Sequence, residues 1–102
     1  MHSVNVLILG MIKSFNDKAT HDLFHGLSSA KVRKIPTQVK ESAIYKLDIL
    51  SAATSLDDLR SPPGSRLEAL QGFYSIRINA QWRIIFRWLD GQAHDVQIID
   101  YH

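Results

Sequence analysis

Two hydrophobic rhythms divide this chain. In the first half, apolar residues recur at helical spacing; in the last third, they alternate with polar ones. Ile12–Phe15 reads as a short strand. Asn16 then suits an N-cap, with Asp17 in the first turn, where negative charge is favoured. Ala19, Leu23, Phe24 and Leu27 fall on one face of a first helix, and Gly26 with Ser28-Ser29 ends it. A second helix is predicted to start near Pro36-Thr37 and to end around Ala52-Ala53-Thr54. Its apolar stripe is Val39, Ala43, Leu47 and Leu50 with Ile44 beside it, while Lys40, Glu41 and Lys46 stay in water. The connector, with Lys31, Arg33 and Lys34, reads as a solvated link in a helical hairpin. Ser61-Pro62-Pro63-Gly64-Ser65 excludes helix and central strand, and Leu59 and Leu67 are expected to pin its ends. Gly72 closes the next turn. Three antiparallel strands are predicted after it, at about Tyr74–Asn79, Trp82–Leu89 and Ala93–Tyr101.

Alternation selects a register. A two-residue Asp90-Gly91 turn would set Phe86 against Asp95 and Ile84 against Gln97, turning polar groups to the core. A three-residue Asp90-Gly91-Gln92 loop sets Phe86 against Val96, Ile84 against Ile98 and Arg87 against Asp95. Because a one-residue slip exchanges the faces, the second register is expected. Arg77, Asn79, Arg83, Gln97 and Tyr101 then share one wet, basic face, and the helices cover the other. The fold class is α+β, a small antiparallel sheet with two N-terminal helices packed on one face.

A length of 102 residues bounds this to one domain. The net charge of +2 is weakly basic, but its arrangement is uneven. Every lysine lies in the first half, and arginine takes over from Arg60 onward. Arginine's planar fork matches phosphate oxygens; the bland alternative is that it keeps a sheet soluble. With no cysteine there is no disulfide or thiolate chemistry. That, with no recognisable signal peptide, leads to the expectation of a cytoplasmic protein. The run Val4–Leu9 is too short for a membrane span, so no membrane partner is expected.

The sequence has no phosphate-cradling glycine loop, no Ser-His-Asp signature and no paired acidic cluster of the two-metal nuclease kind. His21 and His25 have the i, i+4 spacing of a metal pair but lack a third ligand, and read better as solvated helix histidines. His94, near a turn, reads as structural or exposed. No metal and no cofactor are expected. The basic sheet face remains, with Tyr101 and His102 beyond it. RNA can be cleaved without metal when its own 2′-OH attacks the adjacent phosphate. That needs a base, an acid for the leaving 5′-oxygen, and cations for the transition state. Histidine suits the proton transfer near neutral pH, arginines the charge, and tyrosine stacking or a hydrogen bond. One histidine cannot easily be both base and acid, so a second group or an external scaffold must help.

Several ordered motifs are similar to the HigB-type toxins of the RelE/ParE superfamily. They are Met11-Ile12-Lys13-Ser14-Phe15, Asp58-Leu59-Arg60-Ser61-Pro62-Pro63-Gly64, Arg66-Leu67-Glu68-Ala69-Leu70, Ser75-Ile76-Arg77-Ile78-Asn79, Gln81-Trp82-Arg83 and Asp100-Tyr101-His102. The resemblance covers about Met11 to His102. It implies residues 1–10 as an N-terminal extension and 11–102 as a RelE-like toxin domain. It also implies a metal-independent mRNA endoribonuclease that acts in the ribosomal A site and inhibits translation. Arg77 and Arg83 carry over as phosphate and transition-state contacts, Tyr101 and His102 as the stacking and proton-transfer pair, and Asn79 and Arg66 as RNA or ribosome contacts. The implied partners are the 70S ribosome with mRNA and a HigA-type helix-turn-helix antitoxin, through which alone operator DNA is bound.

One stretch departs from the resemblance. Only Gln71-Gly72-Phe73 lies between Leu70 and Tyr74, where relatives carry a longer turn rich in glycine and basic residues. This motivates one alternative, an inactive toxin that serves only as co-repressor with its antitoxin. A ParE-like inhibitor of DNA gyrase is the other, and Asp100-Tyr101-His102 argues against it.

Overall fold

The computed structural model describes residues 11–60 and 66–101. The expected extension at 1–10, the expected loop at 61–65 and His102 lie outside the described residues. The element order is α1 (Lys18–Phe24), α2 (Ala30–Arg33), α3 (Thr37–Ala52), a 3-10 turn (Leu56–Leu59), β1 (Glu68–Leu70), β2 (Phe73–Arg77), β3 (Trp82–Leu89) and β4 (Gln92–Asp100). The strands form one antiparallel sheet in the order β1-β2-β3-β4. This is the expected α+β class, with one more helix and with β1 as a strand the sequence reading did not place.

The apolar stripe of α3 is buried as expected, with Val39, Ala43, Leu47 and Leu50 at most 4% exposed. It packs with Ile76, Ile84, Phe86, Val96 and Ile98 from one face of the sheet. Ile44 stays exposed, whereas Lys40 and Lys46 are half-buried rather than in water. Burial holds the Lys46 ammonium below its usual range, because desolvation disfavours the charged form.

Three details of the first half differ from the sequence reading. The α1 cap is Asp17, whose carboxylate accepts from the Thr20 amide, while Asn16 donates to the Gln97 side chain at 2.9 Å. The helix stops at Phe24, so Leu27 falls beyond it and is exposed. The basic connector is itself a one-turn helix. Ser29 caps it, and Val32 and Ile35 are buried, which leaves its lysines and arginine outward.

Residues Lys13–Asn16 run parallel to β4 and extend the sheet. Lys13 N–H donates to the Ala93 carbonyl, Val96 N–H to Ser14, and Asn16 N–H to Val96. Only Phe15↔Val96 has full bridge geometry, less than the strand expected over Ile12–Phe15. Where the chain turns into α1, the buried Thr20 hydroxyl takes over and accepts the next β4 amide, Ile98 N–H, at 2.9 Å.

The β3–β4 hairpin joins both registers weighed above. At its tip, Leu89↔Gln92, Trp88↔Ala93 and Arg87↔His94 close a two-residue turn, not the three-residue loop expected. Asp90 and Gly91 both have positive φ (54° and 75°), the type I′ geometry that matches strand twist. Further along, Ile85↔Gln97 and Ile84↔Ile98 restore the expected pairing. Between them a bulge sets Phe86 against both Asp95 and Val96, with Asp95 in the left-handed region at φ 54°. The turn chemistry and the core thus each obtain the register they favour. The predicted Arg87–Asp95 pairing survives as a side-chain contact at 3.9 Å.

Candidate active site

The sheet face opposite the helices carries Ser75 and Arg77 from β2 and Arg83 and Ile85 from β3, with Arg77↔Arg83 and Ser75↔Ile85 directly paired. From β4 come Gln97 and Ile99, and Tyr101 continues the strand by donating its amide to the Gln81 carbonyl at 2.7 Å. A Gln81–Asp100 side-chain hydrogen bond of 2.9 Å pins the same end. Arg77, Arg83 and Tyr101 are therefore brought together where β2, β3 and β4 meet.

This face is less wet than its sequence suggests. Arg83 is only 9% exposed and Ser75 is fully buried. The cause is β1, which sequence reading missed. Its tight Gln71-Gly72 turn, with Gly72 at φ 81°, sets Leu70 against Phe73 and Glu68 against Ser75. Arg83 then donates from Nε to Ser75 Oγ at 2.9 Å and from Nη2 to the Arg66 carbonyl at 3.0 Å. Nη2 also lies 3.2 Å from Glu68 Oε1. The guanidinium sits over the Tyr101 ring, 5.8 Å from its centroid, within cation–π range. Arg83 is thus a preorganised cation, fixed on two sides by neutral acceptors. The Glu68 pair adds little stability, on the order of 0–1 kcal/mol, because Glu68 is half-exposed to water.

Arg77 is half-buried and donates from Nε to the Asn79 carbonyl at 3.1 Å. Asn79 lies in the β2–β3 turn, not on the strand as expected. Its Oδ1 accepts from the amides of Gln81 and Trp82, both at 2.8 Å, so it is a turn-former first. Arg66 is exposed and holds φ 48°, a conformation that costs a non-glycine residue about 1–2 kcal/mol. Its carbonyl is the one that Arg83 grips. Glu68 and Ser75 were missing from the sequence-derived set. The two-residue turn at Gln71-Gly72 was the signal that could have placed them opposite each other.

A second polar cluster sits on α1. Asp22, 1% exposed, lies 2.9 Å from both His21 Nδ1 and Lys18 Nζ. The His21 hydrogen bond first, and Lys18 second, hold its carboxyl at about 2. The His21 and His25 rings lie tilted against each other, 4.3 Å between centroids, beside Phe15 and Phe24. Among the described residues, no group of three or more His, Asp or Glu side chains is arranged to hold a metal ion. No helix among them is long and apolar enough to cross a membrane.

Residues 13–102 match the family model of the HigB-like toxin, described as a RelE-like toxin of the type II toxin–antitoxin system HigB. The chain is 40% identical over 87 residues to Toxin HigB-1 of Vibrio cholerae, covering 81% of this chain and 90% of that one. It is 31% identical over 100 residues to Endoribonuclease HigB of Proteus vulgaris, covering 90% of this chain and all of that one.

Proposed function

This chain belongs to the HigB-like family of RelE-like toxins of type II toxin–antitoxin systems, and from that premise we propose that it is a ribosome-dependent, metal-independent mRNA endoribonuclease that inhibits translation. The carrying observation is the pairing of Arg77 with Arg83, whose guanidinium lies over the Tyr101 ring, a cationic centre assembled before substrate arrives. In this reading the mRNA 2′-oxygen attacks the adjacent phosphorus. Arg83 and Arg77 hold the non-bridging oxygens as negative charge builds, which costs no reorganisation because the guanidinium is already fixed. Tyr101, 48% exposed, stacks its ring on a base or donates a hydrogen bond. His102 follows Tyr101 in the chain and delivers a proton to the leaving 5′-oxygen. The products are a 2′,3′-cyclic phosphate and a 5′-hydroxyl. Arg66 and the Asn79 side chain are secondary RNA or ribosome contacts.

The antitoxin partner is proposed to be a HigA-type helix-turn-helix protein, which carries operator recognition for the pair. The decisive experiment is cleavage of mRNA on programmed 70S ribosomes by the protein and by His102→Ala, with and without ribosomes. Cleavage that needs both ribosomes and His102 is expected. If the intact protein cleaves nothing, the tight β1–β2 turn becomes the prime suspect, and the co-repressor reading takes over.

A further inference from the structure

We infer that Glu68 is the general base of this site, the group that takes the proton from the attacking 2′-hydroxyl. The inference rests on the endoribonuclease reading and supplies what that reading lacks. In-line transfer at phosphorus needs a base on the attacking side and an acid on the leaving side, and a single histidine occupies one of them.

Glu68 meets the geometric requirement. It lies on the site face, opposite Ser75, with Oε1 3.2 Å from Arg83 Nη2. The 2′-hydroxyl and the phosphate it attacks belong to one nucleotide, so the base must sit beside the phosphate-binding cation. Glu68 does, and it is 53% exposed, within reach of an incoming ribose. Other carboxylates near this end of β3 and β4 are committed elsewhere. Asp100 accepts from Gln81, and Asp95 lies past the bulge beside Arg87. A purely supporting role is weakly motivated, because Ser75 and the Arg66 carbonyl already anchor Arg83.

In the step, the Glu68 carboxylate accepts the 2′-OH proton as the 2′-oxygen bonds to phosphorus. The P–O5′ bond breaks, and the leaving oxygen takes a proton from the acid. Glu68 ends protonated and returns its proton to water, so no oxidant, metal or co-reactant enters the balance.

The test compares wild type, Glu68→Gln and Glu68→Asp on programmed ribosomes. Cleavage rate and its pH profile are measured with ordinary mRNA, and affinity with mRNA carrying a 2′-deoxy residue at the cleaved position. Glu68→Gln is expected to slow cleavage by about 10²–10⁴-fold, to lose the acidic limb of the profile, and to bind the deoxy mRNA as tightly or more tightly. Glu68→Asp should retain the limb at reduced rate. Cleavage by Glu68→Gln at the wild-type rate or faster overturns the inference and makes Glu68 a shield over Arg83. A parallel fall in rate and affinity overturns it in favour of a structural role. A wild-type protein that cleaves nothing defeats the endoribonuclease reading itself, a result distinct from either.

Discussion

Arg83 holds the β1 hairpin against the sheet and, in the proposed mechanism, stabilises the transition state. The two roles have separable costs. Arg83→Ala should raise the cleavage barrier by about 3–4 kcal/mol, the loss typical of one preorganised donor. It should also lower folding stability by about 2 kcal/mol, because Ser75 Oγ and the Arg66 carbonyl lose their donor. Arg77 holds a single carbonyl and is partly open. Arg77→Ala should therefore slow cleavage while shifting the urea midpoint little. Cleavage assays and urea melts on both variants check this, and full-rate cleavage by Arg77→Ala would remove it from the site. At this scale the sequence was partly legible. Alternation alone placed Arg77 and Arg83 on one face. It did not reveal that Arg83 is buried, because Glu68–Leu70 is too short for period-two patterning to announce a strand.

Among the elements, α1 and β4 are joined by a device no periodicity predicts. Thr20 points inward from α1 among apolar neighbours, where helical spacing calls for a hydrophobic residue. It is there because the edge segment Lys13–Asn16 ends one amide short, and Ile98 N–H needs an acceptor. Thr20→Val, nearly isosteric, should leave that amide buried and unpaired, at a cost of about 1–3 kcal/mol. Thr20→Ser keeps the hydroxyl and should lose distinctly less. Thermal or urea unfolding measures both; a Val variant as stable as wild type would show that water or a backbone shift replaces the bond. The α3 stripe and the strands β2 to β4 were readable because each has a long buried face. The β3–β4 register was half-readable. Core burial argued correctly for Ile84↔Ile98, and Asp90-Gly91 argued correctly for a two-residue turn. Only a bulge reconciles them, and nothing but the positive-φ tolerance of Asp95 hinted where it would fall.

For the molecule as a whole, acid stability should be governed in part by Asp22, far from the proposed chemistry. Its carboxyl is held at about 2, against an ordinary 3.8, by His21 and Lys18. A folded-state value below the unfolded one means that the unfolded chain binds more protons in that interval. Stability therefore rises with pH there. The Asp22 contribution is fully present above about pH 4 and is lost as pH falls toward about 2. Asp58 acts in the same direction, since the Thr54 and Ser55 amides donate to its carboxylate. The difference between wild type and Asp22→Asn isolates the one group from the rest. At neutral pH the Asn variant should be the less stable, because it faces Lys18 and His21 without a charge. As pH is lowered from 5 to 2, the urea midpoints of the two proteins should converge. Parallel curves would mean that Asp22 titrates alike in both states and that its short contacts contribute no proton-linked stability. Convergence would make the Asp22, His21 and Lys18 cluster a stability element, consistent with a His25 ring that hydrogen-bonds to the His21 carbonyl and packs against Phe15.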